Sequence, residues 1–281
     1  MGGYALGIII NLISAPLIFF GGILFNKTLG QRIRRHMNAL RNLMPFRLKS
    51  EDKILLTFGY VIPEASTSYV IEQGDVTALL SAKDLIISFC PEQQLELRDS
   101  ISVKDNFASH RNIFSLSGPK WNKVSEHYLG QLGSPATFCR NPKGVMVNTS
   151  RMSEPIIYKT VRKDHELAQT CYGLIVSGRL SHDTKEEQNI VICAGKTTLS
   201  TNGSLLFLRQ LSRKSDAYQE LKKRGILKSL NKWGLLLKVD RQFASSRGII
   251  RPLQPNDVNI QIVNVFLEED FVQPYEYDYS K

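Results

Sequence analysis

N-I-F-S-L-S-G-P-K-W-N-K-V-S-E-H-Y, residues Asn112 to Tyr128, is the stretch around which the chain is organised. Ile113 to Leu116 is a short apolar run with strand character. Gly118-Pro119 turns the chain. Trp121, Val124 and Tyr128 then recur at helical spacing, with Lys120, Lys123 and Glu126 elsewhere on the circle. The order is strand, tight turn, helix. Such a turn leaves backbone N–H groups at a helix N-terminus, with a partial positive charge behind them. Phosphates and carboxylates favour that position.

A second stretch repeats the plan. Asn189 to Gln210 holds a strand (Ile190 to Cys193), Gly195, a polar loop and an apolar helix from Gly203 to Leu211. Between these two units lie further strand-like runs: Ala136 to Arg140, Gly144 to Asn148, Pro155 to Thr160 and Cys171 to Gly178. The polar stretch Arg179 to Gln188 predicts that the last of these runs beside the strand at Asn189. Before the first unit come a strand at Lys53 to Ile62 and a helix at Ile71 to Leu85. After the second come a basic helix at Asp216 to Leu230 and strands at Trp233 to Asp240 and Asn259 to Leu267. Strands alternating with helices predict an α/β body, its sheet mostly parallel with helices on both faces. The hairpin-like strands at the C-terminus would add an antiparallel edge.

Charge and hydropathy divide the 281 residues unevenly. Tyr4 to Phe25 is uncharged and mostly apolar, long enough as a helix to cross a hydrocarbon core of about 30 Å. No basic stretch precedes it and no A-x-A-like site follows, so it reads as one uncleaved transmembrane anchor rather than a signal peptide. Residues 26–50 hold Lys27, Arg32, Arg34, Arg35, Arg41, Arg47 and Lys49 and no acid. Of the net charge of +10, only +3 is left for residues 51–281. Basic residues beside a membrane helix stay on the cytoplasmic side. The expected arrangement is an N-terminus outside and a cytoplasmic body, with Arg32, Arg34 and Arg35 against anionic lipid headgroups. The cluster lies where membrane orientation needs it, which argues against nucleic acid as its partner. Leu29, Ile33, Met37, Leu40 and Met44 recur at helical spacing through this basic segment until Pro45 stops it. The resulting division is 1–25 anchor, 26–50 basic helix and linker, 51–267 α/β domain and 268–281 frayed acidic tail. A single-pass anchor is compatible with a homo-oligomer without demanding one.

The turns Ser117 to Asn122 and Gly195 to Ser204 fall at the carboxyl ends of strands, where open α/β sheets bind ligands. Ser117, Gly118, Asn122, Gly195, Lys196, Thr197, Thr201 and Asn202 are the candidate contacts for a nucleotide-like or other anionic small ligand. The alternative for each hydroxyl and amide is ordinary helix capping. Gly195-Lys196-Thr197 resembles the end of a P-loop, but Ile190 stands where that motif needs glycine. No G-x-G-x-x-G occurs. Glu72, Asp75 and Glu126 are the carboxylates placed for hydrolase or transferase chemistry on nucleosides or nucleotides, though Glu72 and Asp75 equally suit a helix start. A third reading has the protein docking a partner with no ligand at all. Cys90, Cys139, Cys171 and Cys193 form no C-x-x-C pair and no Cys/His group has zinc spacing, so they read as small buried residues, with no metal site expected. No residue pattern names a cofactor.

Ser117 to Asn122 (S-G-P-x-x-N), Tyr172 to Ile175 (Y-G-L-I) and Ala194 to Thr197 (A-G-x-T) with Gly203 behind resemble a group of poorly characterised prokaryotic proteins. Those read G-G-P-x-x-N, Y-G-L-I and A-G-x-x-x-x-G-T in the same order, on a Rossmann-like body. Glu72-Gln73-Gly74-Asp75 is similar to a G-D element upstream in that group. The resemblance spans roughly residues 53–265 and implies a Rossmann-like fold. The chain departs from the group at Ser117, which stands for Gly, and at Ser200-Thr201, where the group is glycine-rich.

Overall fold

A computed structural model describes residues 43–44, 46, 53–59, 73–90, 94–103, 109–139, 143–163, 167–181, 187–228, 231–242 and 251–271. The expected anchor 4–25, the basic residues Arg32, Arg34 and Arg35, and Glu72 lie outside them. Among the described residues no helix is long and apolar enough to cross a membrane.

The strands are β1 (Lys53–Phe58), β2 (Gln94–Asp99), β3 (Asn112–Leu116), β4 (Ala136–Cys139), β5 (Gly144–Val147), β6 (Ile156–Lys159), β7 (Val161–Lys163), β8 (Leu167–Ser181), β9 (Glu187–Gly195), β10 (Lys232–Arg241) and β11 (Val258–Phe266). The helices are α1 (Gln73–Phe89), α2 (Lys123–Leu132), α3 (Thr198–Gln210) and α4 (Asp216–Lys223). The main sheet runs β11-β10-β8-β9-β3-β1-β2, with β7 paired to β8. β4, β5 and β6 form a separate antiparallel sheet.

The main sheet is mixed, which corrects the expectation of a mostly parallel one. β2, β1, β3 and β9 are parallel. β8 runs antiparallel to β9, and β10 and β11 continue as an antiparallel meander. The reason the sequence misleads is burial: Leu174, Ile175 and Val176 are all buried, so β8 reads as a continuous apolar run. A run buried on both faces carries the same pattern in either direction. The predicted adjacency of Cys171–Gly178 and the strand at Asn189 holds, with Ile175 opposite Cys193 and Val176 opposite Ile192.

Side chains alternate between two cores, as strand geometry requires. Ile54, Leu56, Phe114, Val191, Cys193, Leu235 and Leu237 face one core with α1, α3 and α4. Leu55, Ile113, Ile190, Ile192 and Leu236 face the other, which α2 and the β4–β6 sheet cover. The helices therefore lie on both faces. Two further differences have local causes. Leu85 to Phe89 stays helical because Leu85, Ile86 and Phe89 all pack inward. The basic helix after Ser215 ends at Lys223 because Gly225 takes a left-handed φ of 85°. The start of the expected frayed tail is packed: Asp270 is fully buried and forms an ion pair with Arg151.

Candidate functional site

α1 and α2 leave neighbouring strands over opposite faces of the sheet: α1 follows β1 onto the first core, α2 follows β3 onto the second. The direction of winding thus reverses between β1 and β3, and such a reversal opens a crevice at the carboxyl ends of the strands. Three helix starts meet this edge, those of α1, α2 and α3, because each runs antiparallel to the strand it packs on or follows.

The β3 turn is built by Asn122. Its Oδ1 accepts from the backbone N–H of Val124 at 2.9 Å and Ser125 at 3.1 Å, capping α2. Its Nδ2 donates to the Leu116 carbonyl at 2.5 Å and to Ser115 Oγ at 3.0 Å. Ser115 Oγ also accepts from Thr57 Oγ1 at 2.9 Å and shares a hydrogen bond with Ser125 Oγ at 2.8 Å. Thr57, Ser115, Asn122 and Ser125 are all fully buried. They are a polar plug that ties β1, β3 and α2 together under the crevice. Buried polar groups are tolerated when each finds a partner, and these do. Thr57 and Ser115 are what sequence reasoning missed. Their signal is a hydroxyl standing where strand periodicity calls for an apolar residue.

Above the plug, Ser117 takes φ +76°, the one non-glycine residue with positive φ among those described. Its N–H donates to the Cys193 carbonyl at 3.1 Å and its Oγ to Asp75 Oδ1 at 3.5 Å. Asp75, in the first turn of α1, is 8% exposed. The two glycine turns touch: a Cβ on Gly118 would lie 2.7 Å from the Gly195 carbonyl oxygen. Only glycine admits so close an approach. Ser117, Gly118, Gly195 and Asp75 are therefore brought together.

The second turn is capped by Thr197. Its Oγ1 accepts from the Ser200 N–H at 3.2 Å, and Ser200 Oγ accepts in return from the Thr197 N–H at 3.2 Å. That is a reciprocal capping box, and it starts the helix at Thr198, five residues before the sequence pattern does. Asn202 is occupied by the α1–α3 contact. Its Nδ2 donates to the Gly74 carbonyl at 2.8 Å and the Thr198 carbonyl at 2.9 Å. Thr77 Oγ1 joins it on the Gly74 carbonyl at 2.7 Å. A Cβ on Gly74 would lie 2.6 Å from the Thr198 Cβ, so α1 and α3 meet with no room to spare. Thr201 is buried in the same helix. Asn122, Thr197 and Asn202 thus hold the loops in shape with the groups they own, while Lys196 is half-buried in the chain between Gly195 and the α3 cap Thr197. Glu126 sits on the outer side of α2, paired with Lys123 at 2.7 Å. Lys120 lies over the Trp121 ring, 4.2 Å from its centre.

Beneath the second turn, burial pushes the Cys171 thiol up to about 11, against hydrogen bonds from Thr197 and Ser200 that pull the other way. Cys193, fully buried, is raised further by desolvation. Neither thiol is a nucleophile at neutral pH. Among the described residues no group of three or more His, Cys, Asp or Glu side chains comes together as metal ligands would.

Comparison of the chain with protein-family models, with curated proteins and with solved structures finds no match.

Proposed function

We propose that the protein is a membrane-anchored domain that binds a nucleotide-like or other anionic small ligand at the β1/β3 crevice, in a sensor or signalling role. The observation that carries this reading is the contact of the two glycine turns, Gly118 on Gly195, at the carboxyl ends of β3 and β9, one strand over from the β1/β3 reversal. The turns bring the starts of α2 and α3 to one edge, and Lys196 adds a positive charge there. A ligand anion would meet backbone N–H groups and the lysine, while Asp75 and Ser117 would accept from or donate to a hydroxyl beside it. The expected membrane attachment rests on the apolar run 4–25 and the basic segment behind it.

A second reading is a hydrolase or transferase acting on nucleosides or nucleotides. The buried Asp75 carboxylate beside Ser117 in a left-handed backbone favours it, since strained residues and buried carboxylates gather at reacting centres.

The test is a thermal-shift series on the full chain in detergent against a nucleotide panel. A ligand at 100 times its dissociation constant stabilises by about 2.7 kcal/mol. One nucleotide class should raise Tm, and Lys196→Ala should abolish the shift without lowering the unliganded Tm. A flat response to the whole panel rejects the crevice as a nucleotide site. Turnover of the shifting nucleotide that disappears in Asp75→Asn would move the assignment to the enzyme.

A further inference from the structure

β2 ends the main sheet on the side away from β11. Its six residues, Gln94 to Asp99, pair with β1 in unbroken register. Among the described residues nothing pairs with its other edge. The Ser100 N–H donates to the Phe58 carbonyl at 3.0 Å. Peptide groups alternate in direction along a strand, so Glu96 and Arg98 turn theirs to β1, while Leu95, Leu97 and Asp99 turn theirs outward. Open edges are ordinarily protected by proline, lysine or a bulge. β2 carries none of these.

The side chains of this edge match a second copy of the same strand. Leu97 is 50% exposed. It shares a face with Leu95, which packs against the core. Glu96 and Arg98 flank it on the opposite face, joined at 2.6 Å. His110 Nε2 lies 3.5 Å from the second Glu96 oxygen. An antiparallel copy centred on Leu97 sets Glu96 opposite Arg98 twice and Leu97 opposite itself. Centring on Glu96 or on Arg98 instead sets like charges directly opposite, which is destabilising. The charges therefore select one register.

We propose that the β2 edge is a self-pairing surface, at which two copies of this chain join β2 to β2 antiparallel about a twofold at Leu97. The Leu97 peptide exchanges both hydrogen bonds with its copy, and Leu95 pairs in the same way with Asp99 of the other chain. Glu96, Arg98 and their copies alternate in sign on one face, so each keeps its own partner and gains another across the seam. The two main sheets become one, with the carboxyl ends of the parallel strands pointing in opposite directions. An edge of six residues buries far less than the roughly 1,600 Å² of a standard interface, so the dimer is weak and depends on concentration. The proposal is independent of any ligand in the crevice.

The experiment is sedimentation velocity of the full chain in detergent over a dilution series, which should show a monomer–dimer equilibrium. Glu96→Arg alone and Arg98→Glu alone each turn two unlike pairs into like ones, and each should weaken the dimer about tenfold. An equimolar mixture of the two variants should regain the native affinity, since every opposing pair is then unlike. Leu97→Cys, with Cys139→Ser to remove the half-buried thiol, should form a disulfide-linked dimer under mild oxidant, as Cα atoms about 5.5 Å apart allow. Gln94→Cys is exposed but distant from the twofold and should stay reduced. Dimers that both single variants leave unchanged would assign the contact to another surface and overturn the proposal. Variants with native Tm that are monomeric and do not recover on mixing would overturn it as well. So would a chain that is monomeric at every concentration with Leu97→Cys reduced, or cross-linking at Gln94→Cys as fast as at Leu97→Cys.

Discussion

Ser117 Oγ donates to Asp75 Oδ1 across 3.5 Å while the Ser117 backbone is held at φ +76°. The residue joins the end of β3 to the start of α1 through its side chain, at the cost of a backbone conformation that L-residues avoid. A left-handed non-glycine residue costs roughly 1–2 kcal/mol. Ser117→Gly should therefore stabilise the fold by up to about 1 kcal/mol in urea denaturation, after the entropy of the added glycine is deducted. If the serine hydroxyl serves a ligand, the same variant should lose the nucleotide-induced Tm shift. A variant that is both less stable and still shifted would contradict the role given to Ser117.

Asn122 uses both ends of its amide, so the two ends can be separated by mutation. Asn122→Ala removes the α2 cap and leaves the Leu116 carbonyl and the buried hydroxyls short of a donor. The expected loss is about 2–3 kcal/mol by chemical denaturation, a cap plus one unmet buried hydrogen bond. Asn122→Asp keeps the cap acceptor but puts a carboxylate among the Ser115 and Leu116 oxygens. It should be no better than the alanine variant.

Arg151 and Asp270 join the loop after β5 to the segment after β11. Asp270 is fully buried and also accepts from the Leu267 N–H at 2.9 Å. Removing one partner of a buried pair leaves the other without compensation. The Arg151 side chain is 55% exposed, and water screens that end. Arg151→Ala strands the buried Asp270 carboxylate and should cost about 2 kcal/mol, below the roughly 3–5 kcal/mol of a fully buried pair. Truncation at 267 should cost at least as much, whereas a frayed tail would be lost without effect.

Cys171 gives a pH dependence with a defined sign. Its pKa is raised from 9.0 to about 11 by burial. The unfolded chain releases the thiol proton first, so the fold binds more protons than the unfolded state between pH 9 and 11. The contribution is fully present below pH 9 and is lost as pH rises through that window. Cys171→Ser would place an ordinary hydroxyl there, so its Tm should fall less between pH 9 and 11 than that of the native chain. In native protein at pH 8, Cys171 should resist iodoacetamide until the fold is opened.

Local periodicity made most elements legible in sequence. The strand–turn–helix read at Asn112 to Tyr128 stands, with the helix running on to Leu132, because apolar alternation, Gly118-Pro119 and the Asn122 cap all point the same way. The strand at Lys53, the helix after Gly74 and the strands at Trp233 and Asn259 followed from the same signals. β2 did not, because it is an edge strand with exposed Leu97 and charged Glu96 and Arg98, and carries no apolar run. The antiparallel edge of β10 and β11 followed from its hairpin-like pattern, but the direction of β8 against β9 did not, because β8 is buried on both faces and carries no sign of direction.

For the candidate site, sequence determined the pieces: two glycine turns at strand ends, a lysine after the second, and a set of short polar side chains. Only the tertiary structure decided their duties. Asn122 is 0% exposed and Asn202 2%, and both are spent on carbonyls and helix starts that sequence separates by up to 128 residues. Ser117, Asp75 and the Gly118–Gly195 contact line the edge instead. The physical reason is that capping and ligand binding use the same donors and acceptors at the same helix ends. Which task a side chain performs depends on whether another element, folded back from far along the chain, already occupies it.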